Sequence, residues 1–184
     1  KYILLNTHIM AILVILSCLG IFCMLAGLSK VSIKVVLGVS VLTLLSCIGI
    51  VFYDWGTNNT YFHDMVFFDK FALGFSGLLV FSTLLLVLLS DSFLENAKGF
   101  VSEHFALMFF ALTGMVCMVS FDHLSMLFIG IEIMSVSLYV LAGSNKSQLA
   151  SNEASLKYFL MGAFSTGFIL MGITLIYAET SSFY

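Results

Sequence analysis

Six stretches of this chain are apolar and about 20 residues long, the length an α-helix needs to cross the hydrocarbon layer of a bilayer. Five of them, at 9–28, 35–53, 71–90, 105–121 and 158–178, contain no charged residue. The sixth, at 124–143, is interrupted only by Glu132. Open strands cannot cross lipid, because their backbone groups go unsatisfied. Barrel strands are about 10 residues long and alternate in polarity, which these runs do not. The runs therefore predict an all-α integral membrane protein, a polytopic bundle of six transmembrane helices at about 9–28, 35–53, 71–90, 105–121, 124–143 and 152–178. Composition agrees. Of 184 residues, 61% are hydrophobic and 9% charged, against about 25% charged in a soluble domain.

The first run is too long for the apolar region of a signal peptide, and no small-x-small cleavage site follows it. It reads as a true span. The chain begins at Lys1 and stops in Ser-Ser-Phe-Tyr, which predicts part of a longer protein. The loops after spans 1, 3 and 5 hold Lys30, Lys34, Lys98 and Lys146, against Lys1 and Lys70 on the other side. That bias puts the first side in the cytoplasm or matrix and the N-terminus outward. The loop 54–70 reads as a surface connection, with Asp69 capping the third helix. Tyr53, Trp55 and Tyr158 mark membrane interfaces.

Several functions are disfavoured. There is no arginine and no basic patch, so nucleic acid is not an expected partner. Cys18, Cys23, Cys47 and Cys117 fall in apolar runs without metal-ligand spacing, and they read as small packing residues. Neither a metal nor a cofactor is expected in this chain. Proline is absent. Gly130, Gly143, Gly162, Gly167 and Gly172 are read as places where helices approach closely.

The chemistry concentrates at two charges. Glu132 lies eight residues past Leu124, roughly 12 Å into a helix of about 30 Å. A charge at that depth costs about 2.5–3.5 kcal/mol. It is tolerated beside a cavity, a protein interior or a charged partner. Ser125, Ser135 and Tyr139 share its helical face and can carry hydroxyls and water beside it. The plainer alternative is a protonated glutamate that joins two helices by a hydrogen bond. Lys157 is the second candidate. Ser151 is a possible N-cap for its helix, and Glu153 stands four residues before it, in the favourable order for an ion pair. An interfacial pair with the lysine snorkelling to the surface accounts for that spacing equally. His8, His63, His104 and the Asp122-His123 turn read as helix ends or solvated positions, and Asp91, Glu95, Lys98 and Glu103 as a solvated loop.

These residues carry a resemblance. The run FDHLSMLFIGIEIMSVSLYVLAG at 121–143, followed by SNEASLKYFLMGAFSTGFILMGITLIYAET at 151–180, resembles the subunit N family of proton-pumping NADH:quinone oxidoreductase, respiratory complex I. Glu132 to Ser135, Glu153 to Tyr158 and Gly162 to Phe168 match it in order and spacing. Phe68-Asp69-Lys70-Phe71-Ala72 is similar to the start of its third helix. The resemblance implies the N-terminal part of an antiporter-like fold with two inverted five-helix repeats, in a bacterial inner membrane rather than a mitochondrial one. It implies Glu132 and Lys157 on a proton path, with the lysines that would pair with Glu132 on later helices. It also implies other membrane-arm subunits as partners, with NADH, FMN, iron–sulfur clusters and quinone bound elsewhere in the complex. An Mrp-type cation/proton antiporter, a related membrane hydrogenase and a non-transporting scaffold are the alternatives.

Overall fold

In the computed structural model, residues 8–29, 31–55, 59–62, 64–90 and 101–184 are described. Lys1, Lys30, His63, Asp91, Glu95 and Lys98 lie outside them. Among the described residues six helices follow one another: α1 His8–Leu28, α2 Ile33–Tyr53, α3 Lys70–Leu88, α4 Val101–Val119, α5 Leu124–Ala142 and α6 Leu149–Thr180. Each is long and apolar enough to cross a membrane.

The first four helices close a ring. α1 packs on α2, α2 on α3, α3 on α4, and α4 back on α1. Spacing in the sequence dictates which face each one buries. α2 buries Val36, Ser40, Leu44, Cys47 and Val51, and α3 buries Ala72, Leu73, Ser76, Val80, Thr83, Leu84 and Val87. These steps of three and four keep one stripe turned inward. The core is lined by Leu16, Leu44, Val80, Phe109 and Leu112, all fully or almost fully buried. α5 then packs on α4, and α6 on α5. The outer layer is thin: within α6 only Ile173 is buried, and Met161 is 74% exposed.

The α4–α5 contact is made by backbone. A Cβ added at Gly114 would lie 2.6 Å from the Met134 backbone nitrogen, and one at Gly130 would lie 2.9 Å from the Met118 nitrogen. Neither distance is possible, so both positions require glycine. Gly130 was expected to pack. Gly114 lies in an uninterrupted apolar run and gave no separate signal.

The loop 54–70 departs from a plain surface connection. Two short strands, β1 Asn59–Tyr61 and β2 Val66–Phe68, pair antiparallel with Thr60 opposite Phe67. Phe62 and Asp64 take left-handed backbone in the turn between them. Val66 and Phe68 are fully buried, because β2 runs along the α4–α5 turn. Val66 bridges Phe121, and the Phe67 amide donates to the Ser120 carbonyl at 2.8 Å. Burial, and after it the Asp54 carboxylate, raises the Tyr61 phenol above its ordinary pKa. The short period-2 pattern was masked by neighbouring apolar residues.

Helix ends follow local chemistry. Asp69 caps α3 as expected, its Oδ1 accepting from the Ala72 amide at 2.7 Å. Ser151 does not cap α6. The helix starts at Leu149, after Gln148, and Ser151 instead donates to the Ala142 carbonyl at 2.7 Å. An orphan carbonyl at the end of α5 is a stronger attraction than a cap already one turn inside a helix. His123 is not solvated either. It is 9% exposed.

Replacing Gly130 with leucine should separate α4 from α5. The expected loss is about 1–3 kcal/mol, the usual range for overpacking, read as the shift in reversible unfolding in mixed detergent micelles. An alanine-sized change at Gly38, where nothing lies within 4 Å, should leave the transition where it is.

Candidate functional site

α5 has two faces. At about 100° per residue, Gly130, Met134 and Ser137 fall within about 60° of one another and meet α4. Ser125, Glu132, Ser135 and Tyr139 fall within an arc of about 80° on the opposite side. Glu132 is therefore aimed away from the four-helix ring. It is half-buried, as are Ser125 and Ser135, whereas Tyr139 is 8% exposed. Among the described residues no side chain makes a hydrogen bond or ion pair with the Glu132 carboxylate.

Tyr139 marks where α6 crosses this face. Its ring meets Tyr158 edge-on at 4.9 Å and Phe159 at 5.8 Å. A Cβ at Gly162 would lie 1.8 Å from the Tyr139 Oη. Gly162 is thus a slot cut for the phenol. The Ser155 hydroxyl donates to the Tyr139 carbonyl at 2.8 Å, and a Cβ at Gly143 would meet Ser155 at 2.8–2.9 Å. Gly143 and Gly162 therefore pack as expected. Among the described residues nothing lies within 4 Å of Gly167 or Gly172. Sequence spacing identifies glycines on a face but not whether a neighbour covers that face.

Lys157 is exposed and forms an ion pair with Glu153 one turn earlier. It stands near the depth of Tyr139, on the antiparallel α6. Tyr139 is seven residues past Glu132, so Lys157 and Glu132 differ in depth by roughly 10 Å. The fold does not bring the two charges together. Each occupies the outer surface of the α5–α6 layer. Among the described residues, no three His, Cys, Asp or Glu side chains are grouped to hold a metal. All four cysteines are free thiols, three of them buried.

Residues 120–184, which contain α5 and α6, match the transmembrane family described as NADH:quinone oxidoreductase/Mrp antiporter. The curated NADH-quinone oxidoreductase subunit N of Flavobacterium johnsoniae is 43% identical over 171 residues, 93% of this chain and 37% of that protein. Over most of its length the chain is similar to NADH-quinone oxidoreductase subunit N. The subunit N of Cytophaga hutchinsonii is 38% identical over 178 residues, with the same two coverages of 93% and 37%. The chain thus spans little more than a third of the length of these subunit N relatives. Among solved structures, the respiratory complex I from Thermus thermophilus with bound aureothin matches with a TM-score of 0.79 at 27% identity. The match covers 94% of this chain and 38% of that one. An archaeal membrane-bound sulfane sulfur reductase matches with a TM-score of 0.76 at 20% identity, over 92% of this chain and 38% of that one. That second likeness is one of fold. The antiporter-like arrangement of the subunit N family therefore holds across these six helices.

Two substitutions separate packing from polarity at Tyr139. Gly162→Ala should push α6 off α5 and lower the yield of a disulfide engineered between the two helices several-fold. Tyr139→Phe removes the Oη that stands nearest the slot and should leave that cross-link within about twofold of the parent.

Proposed function

We propose that the chain forms part of a membrane-arm subunit of a proton-translocating NADH:quinone oxidoreductase, in which Glu132 is one half of a switchable ion pair. Proton movement is driven by quinone reduction in other subunits, and this chain carries no redox centre. NADH, FMN, iron–sulfur clusters and quinone are held by those subunits, and the other membrane-arm subunits are its partners. The setting is the bacterial inner membrane, with the N-terminus outward and the lysine-bearing α1–α2 and α5–α6 connections inside.

One observation carries the reading: a half-buried carboxylate at mid-membrane depth, on the outward face of α5, with no partner among the described residues. A carboxylate in low dielectric holds its proton unless a cation stands near. When a lysine from a helix outside this chain approaches Glu132, the ionised pair is favoured. When that lysine moves away, the pair is broken and each group can exchange a proton with water on the path. A proton is thereby taken up at one group and released at the other. Ser125 and Ser135 flank the carboxylate and can hold water for that exchange. Lys157 is the second path residue in this reading. Its exposed Glu153 pair sits roughly 10 Å nearer the inner surface, where a proton could enter. The relatives' subunit N names favour this reading over an Mrp-type antiporter or a membrane hydrogenase.

Glu132→Gln keeps size and polarity but cannot ionise. In the assembled complex reconstituted in vesicles, proton pumping per quinone reduced should fall by about tenfold or more, consistent with loss of a positioned acid–base group. Unchanged pumping would overturn the transport role and leave a scaffold. Lys157→Met should reduce pumping more mildly. If pumping is fully preserved, Lys157 is only an interfacial ion pair, worth about 0.3–0.5 kcal/mol.

A further inference from the structure

A histidine closes the outer end of the helix that carries Glu132. His123 is the N-cap of α5, and its Nδ1 accepts the Ser125 backbone N–H at 3.2 Å. Its own amide donates to the Met65 carbonyl of the hairpin turn, at 3.4 Å. Its ring lies 4.9 Å from both Phe183 and Tyr184, in the segment after α6. That segment is stitched to the same place. The Leu124 amide donates to the Phe183 carbonyl at 2.9 Å, and Phe183 stacks on Tyr177 at 4.2 Å. Hairpin, α5 and the end of α6 therefore converge on one buried imidazole.

We infer that His123 is a pH-responsive latch. The neutral ring caps α5 and holds the α6 end against it, and protonation releases both. The reason is the atom that does the capping. An imidazolium has a proton on both nitrogens and accepts no hydrogen bond. Protonated Nδ1 would present N–H to N–H at Ser125, beside the positive end of the α5 dipole. Contact with the rings of Phe183 and Tyr184 offers a cation some compensation, but it does not restore the acceptor. The sign follows directly. Capping is present where the ring is neutral and is lost where it is protonated, so it weakens as the pH falls. The other titratable groups at this junction, among the described residues, are Tyr61 and Asp64 on the hairpin, Asp122 on the α4–α5 turn, and Tyr177, Glu179 and Tyr184 at the end of α6 and after it; Glu132 and Tyr139 of α5 and Glu153, Lys157 and Tyr158 of α6 lie further along their helices. His123→Asn separates the imidazole of His123 from all of these groups, because it keeps the cap and removes only this titration.

The test is hydrogen exchange on the assembled complex, expressed as protection factors corrected for intrinsic rates, for a peptide spanning 124–128. In the parent, protection should fall about fivefold between pH 7.5 and 5.5, the size of a lost N-cap. In His123→Asn, which caps without titrating, protection should stay high and flat. In His123→Ala it should be low at both values. A flat parent profile, or the same pH dependence in His123→Asn, would overturn the latch. Pumping is not the readout, so the outcome stands apart from the role of Glu132.

Discussion

In hydrocarbon, every peptide group must find its hydrogen bond within the protein, because an unmade one costs several kcal/mol. That constraint shapes the molecule beyond its helices. Hydroxyls inside the spans obey it too. Thr43, Thr83, Thr113, Ser120 and Ser137 each donate to the carbonyl one turn back. With these five hydroxyls satisfied inside their own helices, close packing carries most of the attraction between helices. The α4–α5 crossing supplies it by bringing backbone to backbone at Gly114 and Gly130.

That crossing gives α5 its orientation, and with it the direction in which Glu132 faces. The face turned to α4 is closed to solvent and to chemistry. The opposite face carries Ser125, Glu132, Ser135 and Tyr139, and α6 covers it only where Tyr139 enters the slot at Gly162. The carboxylate is therefore neither locked into the ring of α1–α4 nor satisfied by α6. It is held in place and still available. The N-terminal end of the same helix is fixed by His123, Met65 and Phe183, so the position of Glu132 is constrained from the side by packing and from the end by a cap.

The depth of Glu132, the six spans and the Asp69 cap were legible in the sequence, because each is a local property of spacing or of residue type. The Glu153–Lys157 pair was legible for the same reason. Ser151 was misread as a cap because the acceptor that captures its hydroxyl, the Ala142 carbonyl, is nine residues away in another helix. Val66 and Phe68 hid their strand inside an apolar loop, and their burial depends on the α4–α5 turn. Gly114 looked like any glycine in an apolar run, while Gly167 and Gly172 looked like packing glycines and meet nothing among the described residues. His123 resembled a solvated turn residue until the hairpin and the end of α6 closed over it.

The sequence by itself determined that the chain spans a membrane six times and that one carboxylate lies near the middle of a span. Length, hydropathy and rise per residue fix those facts without reference to neighbours. Only the tertiary structure decided which way that carboxylate faces, that Lys157 is not its partner, and that an imidazole closes the helix end. Those depend on which surfaces meet, and helices in lipid select their partners by shape at a few close contacts, which no single segment records.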